Sequence, residues 1–135
     1  MVQLPAPAPD ISHETKPFWD ATLEGKLLIR ACNACAAFYW YPRTVCPICG
    51  SLDTRWHETA GTGTIYSFTV VRRDVGEFAA ATPFVLAFVE LDEGPRMIAN
   101  VVECDVENTQ IGDRVRAVFQ RTEADAALVR FTPTD

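Results

Sequence analysis

The sequence predicts a mainly β protein in three parts: an N-terminal helix, a small ribbon held by four cysteines, and a closed five-stranded barrel. Three observations predict it. Four of the five cysteines form two C-x2-C pairs, Cys32 with Cys35 and Cys46 with Cys49, separated by ten residues. From Gly61 onward, five short runs rich in β-branched and aromatic residues are separated by turn residues. At 135 residues and 48% hydrophobic, the chain can bury one sizeable core but not two full-sized ones. The expected divisions are 1–25 for the lead-in and helix, 26–58 for the ribbon and 59–135 for the barrel.

The lead-in, PAPAPD, is too rich in proline for helix and is expected to be extended and solvated. Ser12 then caps a helix over 13–25, with Phe18, Trp19, Thr22 and Leu23 on one stripe and Gly25 as its stop. Pro17 argues for a later start, with Thr15 as the cap. Segments 27–31, 38–40 and 54–59 read as strands around the cysteine pairs.

Each C-x2-C step presents two thiolates to one tetrahedral ion, and two such steps give a closed four-cysteine site. This is the composition of a zinc ribbon of the rubredoxin type, with Cys32, Cys35, Cys46 and Cys49 as ligands. Four protein ligands leave no open position, so zinc here is structural and not a Lewis acid. Iron in the same site would make an electron carrier, and sequence separates the two metals poorly. Cys104 has no neighbouring Cys or His and reads as a half-buried thiol.

The five barrel strands are expected over 62–73, 83–91, 96–103, 113–120 and 128–133. Asp92 to Pro95 makes a hairpin turn, and 104–113 a longer connection. A barrel of this size is most often an OB-fold. In the second strand Val85, Ala87, Val89 and Leu91 occupy one face and Phe84, Leu86 and Phe88 the other, so both faces need cover: the helix or ribbon, or a partner protein.

Eighteen acidic against twelve basic residues give a net charge of −6, which disfavours phosphate backbones. The aromatic run Phe38 to Tyr41 has few basic residues around it, so base stacking is disfavoured as well. The start is not a secretory signal and no stretch approaches the ~18 apolar residues of a membrane span, so a cytoplasmic protein without membrane partners is expected. His13 and His57 have no nucleophile in a recognisable elbow, and no phosphate-binding glycine motif is present. No catalytic constellation emerges. Arg72 and Arg73, at the end of the first barrel strand, are candidates for holding the phosphates of a nucleotide-bearing ligand.

The order of these parts resembles a known family. The matching features are Phe18-Trp19, the ribbon from Cys32 to Gly50, GTGTIYSFTVV over 61–71 and PFVLAFVELDEGPR over 83–96. The resemblance, covering 12 to about 133, is to the acyl-CoA-associated zinc-ribbon/OB-fold proteins long called domain of unknown function thirty-five. It implies a rubredoxin-like zinc ribbon followed by an OB-fold, without chemistry of its own. It also implies a hetero-oligomer with a thiolase-superfamily enzyme, a lipid-transfer-type retro-aldolase or an acyltransferase acting on acyl-CoA thioesters. Steroid side-chain degradation is among the settings it implies. Metal binding carries over to all four paired cysteines, no catalytic residue does, and a CoA thioester bound with the partner would meet Arg72 and Arg73. The alternative is a free-standing module that binds nucleic acid or CoA esters.

Overall fold

In the computed structural model, which describes residues 3–134, one short α-helix precedes a three-stranded sheet and a closed barrel. Helix α1 spans Lys16–Thr22, with Thr15 at its N-cap and Pro17 in the first turn, so the later of the two expected starts is the real one. Ser12 instead bonds Thr15 side chain to side chain at 2.9 Å. Gly25, at φ 73°, closes the helix: its N–H donates to the Thr22 carbonyl, and the Lys26 N–H reaches back to Ala21.

Strands β1 (Leu28–Cys32), β2 (Phe38–Tyr39) and β3 (Thr54–Glu58) form an antiparallel sheet in the order β2-β1-β3. The barrel follows with β4 (Thr62–Val71), β5 (Phe84–Leu91), β6 (Arg96–Val101), β7 (Arg114–Arg121) and β8 (Ala127–Pro133), ordered β4-β5-β6-β8-β7. Only the short β6–β8 pairing, at Val101 and Phe131, is parallel. This is the OB-fold arrangement expected from the strand count.

Closure depends on β4, which pairs with β5 along its length and with β7 at its start. Gly63 sits at that crossing, where an added Cβ would lie 2.5 Å from the Glu90 carbonyl oxygen. Between Ile65 and Ser67 the register shifts, and the bulge turns Tyr66 outward.

The core ignores the expected boundary between ribbon and barrel. Phe18 from the helix and Leu27 and Ile29 from the ribbon belong to the same buried cluster as Ile65, Val85, Val89, Leu91, Val115 and Phe131 from the barrel. The buried Thr22 hydroxyl accepts from Ala127 N–H, tying helix to β8. Glu93, in the β5–β6 turn, accepts from Ala60 N–H, while the adjacent Asp92 accepts from the Thr62 hydroxyl, so the hairpin grips the joint from outside.

Two features depart from the sequence reading. A 3-10 turn over Gly76–Ala81 lies between β4 and β5. The lead-in is not wholly solvated: Leu4 is buried against Ala81 and Phe84, so lead-in and 3-10 turn, not helix and ribbon, cover the outward Phe84.

Candidate functional site

Two matched turns build the cysteine centre. In the first, Ala36 N–H donates to the Cys32 carbonyl and Ala36 takes φ 64°; in the second, Gly50 N–H donates to the Cys46 carbonyl and Gly50 takes φ 78°. Cys35 N–H points at the Cys32 sulfur (3.5 Å) and Ile48 N–H at that of Cys46 (3.4 Å), which favours thiolates. The four Sγ atoms lie within 4.8 Å of one another, with Cys32–Cys49 at 3.6 Å and Cys35–Cys46 at 3.7 Å.

Those separations are far beyond the ~2.05 Å of a disulfide. A tetrahedron with metal–sulfur bonds of ~2.3 Å has sulfur–sulfur edges of about 3.8 Å. The donor set therefore fits one tetrahedral thiophilic ion. The electrostatics agree, because the sulfurs compete for charge. Although burial disfavours its thiolate, Cys46 is drawn down to about 7 by the Cys49 and Ile48 N–H groups. Although the Ser51 N–H favours its thiolate, Cys49 is pushed up to about 12 by the neighbouring Cys32 and by burial. A divalent cation removes that conflict by neutralising charge at all four positions.

The ribbon's aromatics divide their work. Tyr39 is buried with Cys32 and Cys46, and its hydroxyl donates to the Arg43 carbonyl at 2.5 Å. Trp40 packs on Phe18 (5.1 Å between centroids) and Phe38 on His57 (4.6 Å), which turns both toward the helix and barrel. Tyr41 is left outside. His57 is thus an aromatic packing partner, and His13 is exposed on the lead-in.

The outer barrel face remains largely apolar and open. Tyr66 is 47% exposed, Leu86 38%, Phe88 37% and Ile98 67%, values too large for side chains the fold itself covers. Phe88 pairs with Ile98 across β5 and β6, and Tyr66 meets Phe88 edge to face at 6.3 Å. Arg96 stacks over Tyr66, 3.7 Å from the ring centroid, and donates to Glu90. A groove of about 240 Å³ joins this face to the ribbon, lined by Phe18, Trp19, Trp40, Tyr41, Leu86 and Ile98. The sequence reading found Leu86 and Phe88 but missed Ile98, which alternation in β6 marks as the outward residue between Met97 and Ala99.

Arg72 and Arg73 lie just past β4, which stops at Val71 and not at 73 as expected, and they differ. Arg72 donates to both carboxylate oxygens of Glu107, at 2.9 and 3.0 Å, whereas Arg73 is exposed. No described helix is long and apolar enough to cross a membrane.

Comparison with known proteins places the chain. Residues 19–55 match the family model described as "ChsH2, rubredoxin-like zinc ribbon domain", and residues 56–120 match "ChsH2, C-terminal OB-fold domain". A DUF35 domain-containing scaffold protein of Methanothermobacter thermautotrophicus is 34% identical over 70% of this chain and 71% of its own length. A probable enoyl-CoA hydratase alpha subunit of Thermomonospora curvata is 33% identical over 94% of this chain. A 3-oxo-4,17-pregnadiene-20-carboxyl-CoA hydratase alpha subunit of Mycobacterium tuberculosis is 32% identical over 82% of it. The chain spans only 40% and 35% of the length of those two hydratase subunits. A solved chain of "Ltp2-ChsH2(DUF35) aldolase" superposes with a TM-score of 0.82 at 32% identity, covering 93% of this chain and 98% of that one. With both modules matched in order and the four cysteines gathered at one point, the chain belongs to the ChsH2-type zinc-ribbon/OB-fold family, DUF35.

Proposed function

We propose that this chain is a non-catalytic accessory subunit. It binds and stabilises a thiolase-superfamily enzyme, a lipid-transfer-type aldolase or an acyltransferase, that acts on acyl-CoA thioesters, with steroid side-chain degradation as the setting. The observation that carries the proposal is the near full-length match to a chain of the Ltp2-ChsH2(DUF35) aldolase. The scaffold name of the archaeal relative and the steroid thioester named for the mycobacterial one support it. The open face of Tyr66, Leu86, Phe88 and Ile98 provides what docking requires, an apolar centre bordered by polar residues.

In this reading Cys32, Cys35, Cys46 and Cys49 hold a structural zinc ion. It keeps Trp40 and Tyr41 at the edge of the docking face and supplies no step of the chemistry. Toward a CoA thioester held with the partner, Arg73 is the better placed of the two arginines, because Glu107 already neutralises Arg72. Arg73→Ala then weakens CoA-ester affinity of the complex and Arg72→Ala has little effect.

The test is to express the tagged chain in its native host, identify by mass spectrometry what co-purifies, and measure zinc in the same sample. A thiolase-like enzyme in near-equal amount is the expected result, and Phe88→Asp with Ile98→Asp should release it while leaving zinc bound. Recovery of the chain alone would overturn the accessory role and make CoA esters and oligonucleotides the next ligands to test.

A further inference from the structure

Beside the buried Leu4 of the lead-in lies a cavity of about 480 Å³, within the range of small-molecule pockets. Its walls are mostly apolar, among them Leu4, Phe84, Val102 and Phe119, with the Cys104 thiol beside them. Among the described residues one cation reaches it: Arg130, only 3% exposed. Every acceptor on that guanidinium is neutral. It donates to the Leu4 carbonyl (3.4 Å), the Pro5 carbonyl (2.5 Å) and Gln120 Oε1, and among the described residues no carboxylate forms an ion pair with it. Charge taken out of water is usually repaid by an opposite charge, and here it is not.

We propose that this cavity binds an apolar molecule carrying a single carboxylate, whose head pairs with Arg130 while its hydrocarbon body lies along the apolar wall. A planar guanidinium fork matches a carboxylate in two parallel hydrogen bonds, which neutral carbonyls cannot supply with charge. The ligand bears one negative charge and no more, because Arg130 is the only cation lining the cavity among the described residues and the exposed Glu103 lines it as well. That excludes nucleotides and CoA esters from the cavity itself. The Pro5 carbonyl gives up its donor to the arriving head, and the lead-in, which pairs with no strand, shifts to admit it. Arg130 also borders the groove beside the docking face, but the apolar wall of Leu4, Phe84, Val102 and Phe119 belongs to this cavity and not to that groove, and the site stands whether or not a partner enzyme is found.

The experiment uses the full-length zinc-loaded protein with decanoate as the probe and decanol as the uncharged control, both below their aggregation limits. Decanoate should bind saturably with one equivalent per chain, at least about tenfold tighter than decanol, as a charge-assisted buried pair requires. Decanoate should also slow alkylation of Cys104, while zinc protects the other four thiols, and this readout needs no variant. Arg130→Met, checked for folding by circular dichroism, should bring decanoate down to the affinity of decanol. Absence of saturable decanoate binding, equal protection of Cys104 by decanol, or an Arg130→Met loss as large for decanol as for decanoate would each overturn the proposal. The last outcome would mean that Arg130 only anchors the lead-in.

Discussion

Removing the metal should unfold the barrel as well as the ribbon. Strand β1 runs from Leu28 directly into the ligand Cys32, and Ile29 and Leu27 beside it are 0% and 2% exposed within the common core. Losing the four-sulfur centre frees β1, and exposing these two side chains forfeits about 1.5–3 kcal/mol each. The sum, roughly 3–6 kcal/mol, is comparable to the whole margin of about 5–15 kcal/mol by which such domains are folded. Strand pairing from β1 to β2 and β3 is lost besides. The assay is hydrogen exchange read by mass spectrometry on the zinc-loaded protein, the chelated protein and Cys46→Ser, following peptides from β5 and β6, with calorimetry alongside. Faster exchange in those barrel strands and a single transition moved down or abolished are expected. Two separate transitions, with β5 and β6 as protected without metal as with it, would refute the continuity of the core.

Three further outcomes follow from particular residues. Gly63→Ala should cost about 1–3 kcal/mol in urea unfolding, because the Glu90 backbone and Val89 must give way to the new methyl. Ala36→Gly should stabilise the zinc-bound protein by roughly 0.5–1 kcal/mol, since Ala36 holds a left-handed backbone that its counterpart Gly50 adopts freely. Asp92 is held at about 2 by hydrogen bonds from Arg114 and Thr62, below its ordinary 3.8. Its stabilisation is therefore complete above about pH 4 and lost as pH falls toward 2. Both side chains of the Asp92–Arg114 pair are more than a third exposed, so the effect is below about 1 kcal/mol. Asp92→Asn should be slightly less stable at neutral pH, with its acid unfolding curve meeting that of the parent at low pH.

Local pattern carried much of this fold and stopped at identifiable places. The barrel strands were legible because β-branched runs end at turn residues, and the cysteine centre because its spacing is itself the geometry of the turns. Alternation reported that β5 is apolar on both faces but not what covers Phe84, since Leu4 lies far away in sequence. Nothing in the expected last strand singled out Arg130, because its partners are carbonyls 125 and 126 residues earlier. Likewise nothing near Arg72 announced Glu107, 35 residues on. The joint between ribbon and barrel looked like a boundary because composition changes there, whereas Leu27 and Ile29 carry the apolar cluster across it.

That crossing constrains how such a chain can be recombined. The two family models abut between residues 55 and 56, inside β3 and its pairing with β1. A chimera spliced at that point would join one parent's Phe18, Leu27 and Ile29 to another parent's barrel residues, and side chains shaped against different neighbours would have to fill one interior. Grafts that carry these three residues along with the recipient's barrel should fold; those that respect the apparent module border should not. Ribbon and barrel therefore act as one folding unit, because Phe18, Leu27 and Ile29 complete the barrel's interior.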